Sequence, residues 1–121
     1  MIHGSTRSTG AQGEHLARRF LESRGLVFHA ANVRSPFGEI DLVMKDLKQN
    51  ELVCVEVKTR RGTAFGTPEQ AVTSKKRSKL RALVLWYTAR EQWKGQVRFD
   101  VVGVLFCGAP EPVITHVAYV S

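Results

Sequence analysis

Two short apolar runs flanking a polar turn segment constrain this chain more than any other feature. Gly38-Glu39-Ile40-Asp41-Leu42-Val43-Met44 and Leu52-Val53-Cys54-Val55-Glu56-Val57-Lys58 are rich in β-branched and aliphatic residues. Asp46-Leu47-Lys48-Gln49-Asn50-Glu51 between them is polar enough for a surface turn. The pattern predicts two antiparallel strands of a hairpin. With Leu47–Asn50 as a four-residue loop, Asp46 faces Glu51. Counting back along both strands then sets Asp41 opposite Glu56 and Glu39 opposite Lys58.

That register makes the charges informative. Directly opposed residues have Cβ atoms about 4.5–5.5 Å apart, and opposed like charges destabilise a pair. Charged groups on core strands cost free energy unless they are paired or bind a metal. Asp41 facing Glu56 therefore calls for a cation between them. Side chains alternate along a strand, so Glu56 and Lys58 share one face while Val55 and Val57 take the other. A slip of one residue would put Asp41 and Glu56 on opposite faces.

The rest of the chain reads as αβββαββ. Leu16, Ala17, Phe20 and Leu21 recur at helical spacing in Gln12–Arg24, and Gly25 stops that helix. Strands follow over Leu26–Val33, Gly38–Lys45 and Leu52–Arg60. A second helix starts at Thr67-Pro68-Glu69-Gln70, with Thr67 as cap, and runs to Arg90. Val72, Leu80, Leu83, Val84 and Tyr87 form its buried stripe. Val97–Phe106 and Val113–Val120 complete the strands. A helix between two strands is a crossover and pairs them in parallel. The expected architecture is thus α/β, with a mixed five-stranded sheet flanked by helices. Residues 1–10 read as a flexible lead and 11–121 as one domain.

Composition narrows the function. The chain has 121 residues and a hydrophobic share of 43%, enough for a real core. No apolar run reaches the roughly 18 residues that span a membrane, and no signal peptide is evident. Cys54 and Cys107 lack metal-type spacing and read as buried free thiols of a cytoplasmic protein. The net charge of +7 points to a polyanionic partner. Lys58, Arg60 and Arg61 cluster at one strand end, Lys75, Lys76, Arg77, Lys79 and Arg81 on the second helix, and Arg18 and Arg19 on the first. Each cluster alone is equally well a solvated surface. Beside a carboxylate site, the cations favour nucleic acid: they would hold phosphates, and a metal would act on one.

Asp41 and Glu56 offer hard oxygen ligands, which suit Mg²⁺ or Mn²⁺ better than zinc. The Val57 carbonyl is a further candidate oxygen. Lys58 can orient the attacking water, lower its pKa or contact a phosphoryl oxygen. Glu39 has two readings, as a salt-bridge partner of Lys58 or as a third carboxylate at the metal. Gln70 either caps its own helix or joins the site. Glu14 reads as a first-turn residue favoured by the helix dipole, with an accessory site role as the alternative. Asp100 reads as the local partner of Arg98. His3, His15, His29 and His116 show no ligand spacing and are taken as incidental. Trp86 and Trp93, on one helical flank, read as packing residues.

Gly38-Glu39-Ile40-Asp41, Val55-Glu56-Val57-Lys58 and Phe65-Gly66-Thr67-Pro68 with Gln70-Ala71-Val72 together resemble the YraN-type family of endonuclease-like proteins. That family is similar to the PD-(D/E)XK nucleases and in particular to archaeal Holliday-junction resolvases. The resemblance extends from the first helix to Phe99-Asp100-Val101-Val102. It implies a restriction-endonuclease-like fold, metal ligands at Asp41 and Glu56 and a catalytic lysine at Lys58. It also implies that Gln70 and Lys75 are the Gln and Lys of the superfamily's helix, and that Glu14 is its first-helix acid. Junction resolvases act as symmetric dimers, and the corresponding option here is a homodimer through the Leu83, Trp86 and Tyr87 region or a sheet edge.

Three functions are then in view. The first is a metal-dependent endonuclease cutting DNA, branched or damaged. The second is a non-catalytic nucleic-acid-binding module that retains the nuclease fold. The third is an assembly protein whose basic surface meets an acidic partner. The intact set Asp41, Glu56 and Lys58 favours the first.

Overall fold

A computed structural model describes residues 6–62 and 74–119. Its elements are α1 (Thr6–Ser23), β1 (Val27–Ser35), β2 (Gly38–Asp46), β3 (Glu51–Arg61), α2 (Ser74–Glu91), β4 (Gln96–Phe106) and β5 (Val113–Tyr119). The order αβββαββ is the expected one. The five strands form one sheet in the order β1-β2-β3-β4-β5. β3 and β4 are parallel, joined by the crossover that carries α2, and every other neighbouring pair is antiparallel. Among the described residues no helix is long and apolar enough to cross a membrane.

Strand alternation builds two cores, one on each face of the sheet. Leu42, Met44, Val53, Val55, Val102 and Val104 pack with Ala17 and Leu21 of α1. Val43, Leu52, Cys54, Phe99 and Val101 pack with Leu83 and Tyr87 of α2. Both faces are covered, which is why the central strands read as nearly continuous apolar runs. Leu83 and Tyr87 are only 2% and 1% exposed, taken up by this core. Cys54 is buried, and burial pushes its thiol up to about 12, whereas Cys107 is only half-buried.

The boundary of α1 differs from the periodicity. α1 begins at Thr6 rather than Gln12, through a polar stretch that has no apolar stripe to reveal it. The expected start of α2 at Thr67 lies outside the described residues. α1 closes tightly on the sheet at Gly13, where a Cβ would overlap Thr59 Oγ1. The helix can sit this low because glycine has no side chain there. Trp93 lies beyond the end of α2, and its indole donates to the Gln96 carbonyl at 2.8 Å.

The α1 face also buries a charged network. Asp100 is 0% exposed. Arg98 donates to both its oxygens, from Nε at 2.8 Å and from Nη2 at 3.1 Å, and reaches Glu51 through Nη1 at 3.0 Å. His116 Nε2 lies 2.7 Å from Asp100 Oδ2. Val102 pairs with His116 and Asp100 with Ala118, so His116 meets Asp100 diagonally across β4 and β5. The pair of Arg98 with Asp100 is as expected, but His116 is not incidental: it joins β5 to that pair. The hydrogen bonds that Arg98 donates to Asp100 hold its guanidinium above its ordinary range. Replacing Asp100 by Asn removes the charge that compensates a partly buried arginine. A loss near the lower end of the roughly 3–5 kcal/mol for breaking a buried pair is expected, because Arg98 keeps Glu51. Urea unfolding measures it, and Arg98→Met with Asp100→Leu should cost less than Asp100→Asn alone.

Candidate active site

The hairpin register is the one counted from the sequence up to one point. Asp46 pairs with Glu51, and the rungs continue to Leu42 opposite Val55. The Leu47–Asn50 turn is held by Asp46 Oδ1, which accepts from the Lys48 and Gln49 amides at 3.1 and 3.2 Å. The ladder stops where Asp41 should face Glu56. β2 stays with β1 through Ile40–Val33 and Ser35–Gly38. β3 stays with β4 through Arg61–Phe106. The sheet therefore forks, and the open side of β3 carries Glu56 and Lys58.

Asp41 stands at the crotch of the fork. Its Oδ2 accepts the Val57 amide at 2.7 Å, taking over the role of the missing backbone acceptor. The Val57 N–H thus engages Asp41 directly. Ile40 packs with the α2-side core although Leu42, two positions on, packs with the α1-side core. Straight alternation forbids that, so β2 twists at Asp41. Across the β1–β2 pair lies Asn32, with φ of +52°, a left-handed conformation that Asn tolerates better than most residues.

Four carboxylates gather around this point. Asn32 satisfies its amide only with the nitrogen facing Glu39 Oε1 and Glu14 Oε1, 3.2 Å from each. Glu14 comes from the middle of α1, carried there by the close approach at Gly13. It is not a first-turn residue, because α1 starts earlier than periodicity suggests. Glu39 does not face Lys58: with the ladder ended it pairs with Arg34 Nε at 3.7 Å. Lys58 Nζ instead lies 3.5 Å from Glu56 Oε1, and both side chains are largely buried. Asn32 is the residue that sequence reasoning missed. Its signal was an Asn within a run otherwise read as strand.

Electrostatics confirm the crowding. Desolvation raises the Asp41 carboxyl above its ordinary value of 3.8, and Glu56 and Glu39 push the same way. The Val57 amide and Lys58 oppose them without cancelling the shift. Glu14 is raised by desolvation and by Asp41 and Glu39, and lowered by its bond from Asn32. A cation would relieve this repulsion, and the hard oxygens of Asp41 and Glu56 fit Mg²⁺ or Mn²⁺. Among the described residues no group of three or more His, Cys, Asp or Glu forms a ready metal cage. Mg²⁺ does not require one, since it is commonly held by one or two carboxylates with water and phosphate.

The remaining expected residues lie at the end of β3 and on the two helices. Arg60 and Arg61 are exposed at the end of β3, with Arg61 over the Phe106 ring at 5.1 Å. Lys79 is exposed on α2, and Lys75 and Lys76 lie at the start of that helix. Gln70 lies outside the described residues. Arg18 is engaged structurally, 3.8 Å over the Phe28 ring and 3.4 Å from Glu22.

The profile described as Uncharacterised protein family UPF0102 matches residues 13–104, from the Gly13 contact through the whole fork. The chain belongs to the UPF0102 family. A UPF0102 protein of Nocardia farcinica is 46% identical over 115 residues, covering 93% of this chain and 88% of that protein. One from Rhodococcus opacus is 43% identical over 109 residues, covering 89% and 91%. One from Trichlorobacter lovleyi is 36% identical over 118 residues, covering 97% and 92%. The UPF0102 match contains Glu14, Asn32, Glu39, Asp41, Glu56 and Lys58 alike.

The raised Asp41 carboxyl gives a signed prediction. Stability from a group whose folded pKa is raised is fully present below the unfolded value and lost as pH rises through the folded one. At neutral pH with a chelator, the ionised Asp41 therefore penalises the fold. Asp41→Asn keeps an oxygen for the Val57 amide and removes the charge. Its melting temperature should exceed the wild type's by a few degrees at neutral pH, with the gap closing as pH falls toward 3.8. Asp41→Ala, which deprives the amide of its acceptor, should melt lower than Asp41→Asn. Calorimetry across pH checks both, and an Asp41→Asn protein less stable than wild type at neutral pH would contradict the crowding.

Proposed function

We propose that this protein is a metal-dependent endonuclease that hydrolyses phosphodiester bonds in DNA, and that its fold is related to the PD-(D/E)XK nucleases. The observation that carries the reading is the fork, where Asp41, Glu56 and Lys58 converge with Glu14 and Glu39 on an opened edge of β3. A purely structural role does not account for that convergence, because packing gains nothing from mutually repelling carboxylates.

Asp41 and Glu56 would hold Mg²⁺ or Mn²⁺. When bound, the metal would supply Lewis acidity, making a water nucleophilic at neutral pH and offsetting charge on the phosphate. The chain's own residues do the rest. The Val57 amide fixes Asp41 Oδ2 and so orients the carboxylate before substrate arrives. Glu56 holds the Lys58 ammonium, which would donate a hydrogen bond to a phosphoryl oxygen or to the attacking water. Arg60, Arg61, Lys75, Lys76 and Lys79 would bind flanking phosphates, giving affinity that falls with salt. Such a protein would work where DNA is, in the cytoplasm.

Incubation of flap, junction and duplex DNA with Mg²⁺ or Mn²⁺ tests the reading. Cleavage should require metal, stop with a chelator and fall on the order of 10²-fold or more in Asp41→Ala and Lys58→Ala. Cleavage unchanged in both variants would end the assignment. Salt-sensitive binding that is indifferent to chelator, with no cleavage of any substrate, would favour the non-catalytic binding module instead.

A further inference from the structure

The splayed β1–β2 hairpin carries its own feature at the tip. Among the described residues Phe37 is the only aromatic among the exposed large hydrophobics, at 50% exposure. Its presentation is built. Ser35 and Gly38 close the hairpin around a two-residue turn of Pro36 and Phe37. Pro36 locks its own φ. Ser35 Oγ accepts the Phe37 amide at 3.0 Å and donates to the Gly38 carbonyl at 2.9 Å. Gly38, with φ of +132°, absorbs the backbone conformation that other residues rarely adopt. The aromatic ring is thus held out by a constrained turn, which limits the entropy lost when it meets a partner.

Its place in the fold gives that ring a use. The Pro36–Phe37 turn lies at the open end of the fork, and the Leu47–Asn50 turn at the far end of β2. Phe37 is four positions from Asp41, roughly 13 Å at about 3.3 Å per strand residue. Successive nucleotides of one strand are separated by about 3.4 Å, so a few nucleotides bridge the two points. Arg34, on the neighbouring strand, is 88% exposed and pairs with Glu39 at a long 3.7 Å. Such a surface pair contributes little, leaving the guanidinium able to meet a phosphate. An aromatic ring and a cation carried by one hairpin tip can stack an unpaired base and neutralise its backbone. A fully paired duplex offers no free base face to a single ring at this position.

We propose that Phe37 is a specificity residue that stacks on an unpaired base, so that the preferred substrate class is DNA with a single-stranded or splayed segment beside the bond to be cut. The proposal rests on the nucleic-acid reading of the site. Fluorescence anisotropy with Ca²⁺ in place of Mg²⁺, on a single strand, a flap and a blunt duplex of one sequence, tests it. Phe37→Ala and Phe37→Leu should bind the single strand and the flap about tenfold more weakly, with duplex affinity unchanged. Phe37→Trp should restore the preference and quench a 2-aminopurine placed a few nucleotides from the scissile bond. Equal weakening on all three DNAs, full affinity in Phe37→Leu, or a loss that accompanies a change of oligomeric state would overturn it. A wild-type protein that binds with this Phe37 dependence but cuts nothing in Mg²⁺ supports the stacking role and overturns only hydrolysis. One that binds none of the three DNAs overturns both.

Discussion

A single hydrogen bond, from the Val57 amide to Asp41 Oδ2 at 2.7 Å, marks where a sheet becomes a site. Up to Leu42 the strands satisfy each other's backbone, and buried amides require such partners. At Asp41 a side chain takes over, so β2 can leave β3 without stranding a donor. Everything distinctive follows from that substitution. β3 gains an open side, Glu56 and Lys58 reach it, and the β1–β2 hairpin continues without β3 to its tip. An aspartate is well suited to this post, since an ionised carboxylate accepts an amide hydrogen bond more strongly than a neutral oxygen does.

The same chain buries acids in two opposite ways. Asp100 is wholly enclosed, yet Arg98 and His116 meet both its oxygens, and Glu51 shares the arginine. That network is matched and local, and it ties β3, β4 and β5 together. At the fork the balance is reversed. Asp41, Glu14 and Glu39 face one another, with Asn32 as a neutral bridge between two of them and Lys58 as the cation that lowers Asp41. Natural folds tolerate such surplus charge chiefly where a ligand removes it. The comparison within one molecule is more telling than either cluster alone, because the chain evidently has the means to neutralise a buried acid.

What could be read from the sequence divides along the same line. The αβββαββ order, the parallel crossover and the Asp46–Glu51 register follow from local pattern, because periodicity and turn chemistry are short-range. Glu39 went astray because counting assumes that a strand stays straight, and β2 twists at Asp41. Asn32 was hidden for the same reason: its left-handed φ is only useful once the twist exists, though an Asn among strand formers was a trace of it. Glu14 was misplaced because Thr6-Arg7-Ser8-Thr9-Gly10 has no apolar stripe, so α1 seemed to begin later. His116 reaches Asp100 through the β4–β5 hairpin, whose loop between Leu105 and Val113 is too long for its register to be counted from a standard short turn.

The fork also explains why one hairpin can serve both halves of a nuclease-like task. Asp41 needs a rigid position, since a carboxylate misplaced by about 1 Å loses much of its value to catalysis. The hairpin tip needs exposure, since a recognition residue must leave the core. β1 and β2 meet both demands because Val33 and Ile40 anchor the splayed pair in the α2-side core just beyond Asp41. Those two side chains sit between the carboxylate and the Pro36–Phe37 turn. They form a fulcrum that holds the chemistry still while carrying the tip clear of the sheet. A hairpin without that anchor would have to choose between staying in the ladder, which closes the fork, and fraying, which releases Asp41 from Val57.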